Sequence, residues 1–187
     1  MARGNPGALA LGPGKLYIAV LGTPEIPDND LTTPWESVSV NWIPLGYTAE
    51  GSTFNYSVDS ENVEVAEELD PVAVALTSRE MNIDFALAEI TARNLKVALN
   101  GGTITAGVGA VTFEPPALGE EVRTMLGWES EDGTERWIYR KCLQTGGMEM
   151  ARQKGAAKAT ISCSFKLEKP TSGAAPFKAI LSMARAA

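Results

Sequence analysis

The sequence predicts a mainly β protein, a β-sandwich or partly rolled barrel, with one α-helix on its flank. Three observations carry this. Apolar residues recur with period two in most segments between turns, the mark of half-buried strands. Helix-favouring windows are scarce, while 18 Gly and 11 Pro punctuate the 187 residues. Only in residues 70–102 does the period change to that of a helix. With 44% apolar and 21% charged residues, the composition is that of an ordinary globular domain with one full core. No apolar run approaches the length that spans a bilayer, and residues 16–21, the richest early stretch, are far too short.

Residues 1–14, MARGNPGALALGPG, carry a weak apolar patch that Gly and Pro interrupt before it could serve as an export signal, so a flexible arm is expected. A single domain is expected over residues 15–169, followed by a tail over 170–187. The first strand is KLYIAVLG, residues 15–22. Leu16, Ile18 and Val20 face one way and Tyr17, Ala19 and Leu21 the other, so both faces need cover. Residues 23–46 hold Pro24, Pro27, Pro34 and Pro44 and read as one long loop. Its Trp35, Trp42 and Ile43 need burial, either over the chain's own core or in a neighbouring subunit. Residues 53–58 and 62–67 read as short strands around an Asp59-Ser60-Glu61 turn. The acidic run Glu67-Glu68-Leu69-Asp70 lacks calcium-loop spacing and reads as a solvated face.

The stretch 70–102, DPVAVALTSREMNIDFALAEITARNLKVALNGG, organises the rest. Val72, Val74 and Leu76 recur every second residue. After Thr77-Ser78-Arg79-Glu80, a second alternation places Met81, Ile83, Phe85 and Leu87 on one side and Asn82, Asp84 and Ala86 on the other. A helix is expected over 89–100, with Ile90, Leu95, Ala98 and Leu99 facing the core, Glu89 in its first turn and Lys96 in its last. Gly101-Gly102 supplies the left-handed residue that ends it. Residues 101–121 are glycine-rich and weakly patterned, and Gly101, Gly102, Gly107 and Gly109 match neither a phosphate loop nor a dinucleotide fingerprint. Residues 122–128 and 135–143 form a hairpin around Ser130-Glu131-Asp132-Gly133. Residues 157–168, AKATISCSFKLE, are a strand whose polar face meets water or a water-filled channel. In the tail, a short helix or strand around Phe177, Ile180, Leu181 and Met183 is expected to dock apolar side down.

The inventory argues against chemistry. Without a histidine, the usual catalytic triads, imidazole bases and zinc sites are lost. Asp84 with Glu89 and Glu129 with Glu131 are the carboxylate pairs available for acid/base work, but strand alternation and turn composition account for both. No catalytic, metal or cofactor site is expected. Cys142 and Cys163 lie in alternating segments and read as buried free thiols, with a bridge between neighbouring strands as the alternative. A net charge of −7 and no basic helix argue against a sequence-reading nucleic-acid binder. Arg136, Arg140 and Lys141 with Trp137 and Tyr139 come nearest to a basic-aromatic patch, and read as an exposed strand face with its aromatics in the core. Charge is uneven: residues 1–100 carry 14 acids and 5 bases, residues 101–187 carry 9 acids and 11 bases. Such a subunit can associate head to tail.

The pattern DPV…TSRE…I.F.LAEIT..NL..AL.GG within 70–102 resembles the major tail tube proteins of long, non-contractile bacteriophage tails. The likeness extends to Gly46-Tyr47-Thr48, Gly51, the strand at 53–58, residues 129–140 and a last strand ending near Lys169, or roughly residues 40–170. The resemblance implies a tail-tube-like fold and a non-enzymatic virion protein, assembled in the bacterial host cytoplasm. Its copies would form rings, usually of six, whose strands join in one barrel and stack into a tube. Phage DNA would pass through the lumen without sequence-specific binding. The other implied partners are the tape measure protein, the tail terminator and tail-tip proteins, with no membrane. The resemblance also favours Trp35, Trp42 and Ile43 as inter-subunit contacts. Alternatives are a tail terminator or distal tail protein that stops at one ring, the tube of a contractile secretion machine, and a monomeric β-rich binding domain whose long loop holds a ligand.

Overall fold

The computed structural model describes residues 12–28, 30–150 and 159–183. The expected arm at 1–14 therefore lies mostly outside the described residues. Within them the order is β1 (Gly14–Val20), α1 (Trp35–Val38), β2 (Ile43–Pro44), β3 (Thr48–Val63), β4 (Ala73–Leu87), α2 (Ala92–Ala98), β5 (Thr103–Ala106), β6 (Val111–Glu114), β7 (Thr124–Ser130), β8 (Glu135–Gln144), β9 (Ile161–Leu167) and β10 (Phe177–Leu181). The chain is mainly β. Eight strands make one antiparallel sheet in the order β2-β1-β7-β8-β9-β4-β3, with β10 also on β8, while β5 and β6 pair with each other.

β1 shows why the sheet is covered on both faces. Leu16 and Ile18 enter a main core with Ile83, Phe85, Leu126, Tyr139 and Phe165. Tyr17 and Ala19 enter a second core with Ile26, Trp35, Trp42, Met125, Ile138 and Ile180. The second core is the underside of the long loop. Gly127 makes room for it, since a Cβ there would lie 2.4 Å from the Trp35 ring. At Gly46 (φ +83) the chain passes from one end of the sheet to the other. Just before it, the Leu45 N–H donates to the Leu16 carbonyl at 2.9 Å; just after it, the Tyr47 carbonyl accepts from the Ala88 N–H at 2.8 Å.

Five local expectations are corrected. Asp59-Ser60-Glu61 is no turn: β3 runs through it because the partner strand β4 also continues unbroken, and tertiary pairing overrides turn composition. The helix is shorter than 89–100, since the Thr91 hydroxyl caps it by accepting from the Asn94 N–H at 3.1 Å. Ile90 is thus outside the helix and exposed, and the buried stripe is Asn94, Val97 and Ala98. The left-handed residue at its end is Asn100 (φ 55), ahead of Gly101-Gly102. Its N–H reaches the Val97 carbonyl and the next N–H, of Gly101, reaches the Lys96 carbonyl at 2.8 Å, the paired bonds of a Schellman stop. Residues 101–121 contain the small β5–β6 hairpin, and the long loop contains the one-turn helix α1, started by Pro34 (φ −54).

Candidate assembly interface

β3 and β4 continue far beyond the body of the molecule. Every residue from 55 to 80 is exposed. Nine residues from Asn55 to Val63, at about 3.3 Å each, make this projection roughly 30 Å long. Its register holds the site's most informative detail. Asp59 faces Ser78 and the next residue, Ser60, faces Leu76, so Thr77 is left without a partner as a β-bulge. The bulge reverses the parity of β4. Below it the apolar residues are odd-numbered (Met81, Ile83), and above it they are even-numbered (Leu76, Val74), yet both sets share one face with Phe54, Tyr56 and Val58 of β3. A largely apolar strip thus leaves the core and runs out along the hairpin, where Tyr56, Val58, Val74 and Leu76 are 53, 38, 62 and 75% exposed and Arg79, Ser60 and Asn62 are interspersed on the same face. The other face carries Ser57, Asp59, Glu61, Ser78 and Glu80. At the tip, Glu64, Glu67, Glu68 and Asp70 surround Leu69, which is wholly exposed. β3 also ends the sheet, so the outer edge of a 16-residue strand is unpaired among the described residues.

The 23–46 loop is fastened down instead. The Arg136 guanidinium is fully buried and donates to Glu129 from Nε at 2.9 Å and from Nη2 at 2.7 Å. It also donates to the carbonyls of Asp30 and Thr33 in the loop. Glu129 further accepts from the Tyr17 hydroxyl and the Trp35 N–H, each at 3.1 Å. Burial, then the charge of Glu129, push the Tyr17 phenol upward. Nearer the loop's start, Glu25 pairs with Arg140 and Lys178, and the Arg140 hydrogen bond holds its carboxyl below the usual range. Of the three residues expected at a subunit contact, Trp35 and Trp42 are placed in their own subunit's second core, where Trp35 stacks on Tyr17 at 4.9 Å and meets Trp42 edge to face at 5.1 Å. Ile43 is at the surface, 39% exposed.

No basic-aromatic patch forms. Arg136 is buried, Arg140 is held by Glu25, and Lys141 pairs with Glu168 at 2.8 Å. The candidate carboxylates are likewise engaged: Asp84 accepts from Asn55 at 2.6 Å and Ser164 at 2.5 Å, and Glu89 accepts from the Tyr47 N–H at 3.1 Å. Cys142 and Cys163 are free and buried, and burial raises the Cys163 thiol to about 12. Among the described residues, no group of three or more His, Cys, Asp or Glu could hold a metal ion. The sequence reading missed the hairpin's apolar strip, although its signal was present: the switch from Val72, Val74 and Leu76 to Met81, Ile83 and Phe85 is a switch of parity.

A family model described as "Phage tail tube protein" matches residues 1–160. Among solved structures, the crystal structure of Hcp1 from Salmonella typhimurium is similar at 9% identity, over 90% of this chain and 94% of that one, with a TM-score of 0.35. A comparison with curated proteins gave no match.

Proposed function

The chain belongs to the phage tail tube protein family, and from that premise we propose that it is the subunit of the tube itself. Copies close into rings, of six by family likeness, and the rings stack into the hollow conduit of a long non-contractile tail, through which DNA passes into the host. The observation that carries this reading is the largely apolar strip on the projecting β3–β4 hairpin, continuous with the core and left exposed among the described residues. Fully burying a Val, Leu or aromatic side chain contributes about 1.5–3 kcal/mol. The four groups are only 38–75% exposed, so covering them contributes about 3–7 kcal/mol, at the lower end of the roughly 4–15 kcal/mol cost of association. One pairwise contact is therefore marginal, whereas a closed ring, in which each subunit is gripped from both sides, is favoured.

The free edge of β3 pairs with the neighbour's sheet, and Ile43 contributes to a contact that Trp35 and Trp42 position from within. The polar face of β4 and β9 faces the lumen. Its charges are already neutralised, with Glu80 on Lys166 at 2.8 Å and Asp84 held by hydroxyl and amide donors, so a polyanion finds little to bind. The tape measure protein, tail terminator and tail-tip proteins are the further partners, and the virion tail the destination.

Negative-stain microscopy with light scattering over a concentration range tests this. Hollow tubes of uniform width are expected, lost in the Val74→Asp/Leu76→Asp variant while its thermal midpoint stays unchanged. Rings that never lengthen would replace the tube by a terminator or distal tail part. Monomers that stay monomeric on added tail-tip complex would sink the reading.

A further inference from the structure

A second unsatisfied surface lies on the body, away from the hairpin. β1, β7 and α2 enclose an apolar groove of about 310 Å³, lined by Val20, Ile43, Val97 and Val122 and rimmed by Arg93 and Lys96. Val20 is 74% and Val122 50% exposed. Arg93 and Lys96 are both exposed and make no ion pair among the described residues. Arg79 and Lys169 are likewise exposed without an ion pair among the described residues, whereas Lys15, Arg123, Arg136, Arg140, Lys141, Lys166 and Lys178 all pair with carboxylates.

The hairpin tip has the opposite character. Residues 59–70 hold six acids and no base, interleaved with Val63, Val65 and Leu69. All of these are exposed among the described residues. Apolar side chains ringed by acids thus face an apolar groove ringed by unpaired cations, on separate parts of one chain. The groove falls at the lower end of the roughly 300–1,000 Å³ that takes a small ligand, enough for a few aliphatic side chains. We propose that this groove receives the hairpin tip of a second copy, with Leu69 and Val65 seated against Val20, Ile43 and Val122, and with Glu67 and Glu68 paired to Arg93 and Lys96. Because donor and acceptor surfaces differ, the contact is heterologous and repeats from copy to copy. It rests on the reading that the chain self-assembles, and supplies the residue-level contact which that reading leaves open.

Cross-linking tests it on full-length chains. Cys142 and Cys163 are buried, so introduced thiols are the reactive ones. A tagged Leu69→Cys chain is mixed with an untagged Ile43→Cys chain and oxidised. The control partner carries Ala179→Cys, on the exposed face of β10. The mixed dimer is expected at least about fivefold faster than in the control. Arg93→Glu/Lys96→Glu in the Ile43→Cys chain should remove the excess, and Glu67→Lys/Glu68→Lys in the other chain should restore it. Equal rates for the two mixtures, or an excess indifferent to charge reversal, overturn the proposal. Tubes without the excess would retain the tube reading and discard this contact. The excess without tubes would do the reverse.

Discussion

Glu129→Ala should be among the most damaging substitutions in the body of the subunit. The carboxylate receives two donors from Arg136 and one each from Tyr17 and Trp35, all within 3.1 Å. Truncation leaves a fully buried guanidinium facing only the carbonyls of Asp30 and Thr33. Breaking a buried ion pair from one side costs about 3–5 kcal/mol, because the surviving charge stays desolvated. With a urea slope of about 2 kcal/mol per molar, the unfolding midpoint should fall by roughly 2 M, followed by tryptophan fluorescence since Trp35 and Trp42 sit in the released loop. Proteolysis should then cut within residues 23–46 before the rest of the domain. Replacing both partners, Glu129→Leu with Arg136→Met, should recover most of the loss, as no charge is left behind. Glu36→Ala, which breaks a half-exposed contact with Lys15 at 3.3 Å, should cost less than about 1 kcal/mol. A Glu129→Ala midpoint no lower than that of Glu36→Ala would refute the account of how the loop is held.

Inserting one alanine between Asp59 and Ser60 should give Thr77 a partner, remove the bulge and turn Leu76 and Val74 onto the acidic face; tubes should vanish in microscopy while the calorimetric midpoint moves by less than a few degrees. Asn100→Gly keeps the left-handed stop but loses the side chain's bonds to Gln144, at 2.6 and 2.8 Å; a loss of about 1–3 kcal/mol in urea unfolding is expected. Gly127→Ala drives a methyl to within 2.4 Å of the Trp35 ring, so it should red-shift the tryptophan emission and destabilise by about 1–3 kcal/mol. Burial holds the Cys163 thiol at about 12 against an ordinary 9.0, with Cys142 higher still. The folded state therefore keeps protons that the unfolded chain releases above pH 9. The thiols' contribution to stability is complete below pH 9 and should decline as pH rises towards 12. A thermal midpoint flat from pH 8.5 to 11 would contradict this, as would thiol labelling without denaturant.

The parts legible in the sequence were those whose pattern is local. β9 alternates almost without fault, and its odd residues from Ile161 to Leu167 are the buried ones. The β7–β8 hairpin announced itself by its Asp-Gly turn. What escaped depended on partners distant in sequence. Asp59-Ser60-Glu61 has the composition of a turn, and only the presence of Ser78 and Leu76 alongside shows that the strand continues. The alternation of β8 assigns Arg136 to an outward face, which is correct for the sheet; a loop beginning over a hundred residues earlier then covers that face. Trp35 reads equally well as an anchor for its own core or for a neighbour's, and the glycine that decides it, Gly127, lies some ninety residues away.

The bulge links fold to assembly through one residue. A two-stranded ribbon is marginally stable on its own, and beyond Asn55 the β3–β4 hairpin has no third strand and no body beneath it. Its ladder bonds compete with water, and its apolar strip is exposed. On the tube reading, ordering this hairpin and joining a neighbour are thus one step, with the entropy of the first deducted from the affinity of the second. The first ring then forms reluctantly in free solution. On that reading a ring already in place would offer the proposed groove at Arg93 and Lys96 and ordered hairpins of its own, so each later subunit would meet a surface whose ordering cost is already met. Growth from an existing end outruns nucleation for the same reason that helix propagation outruns the first turn. Long tubes follow from seeds, and few from subunits alone.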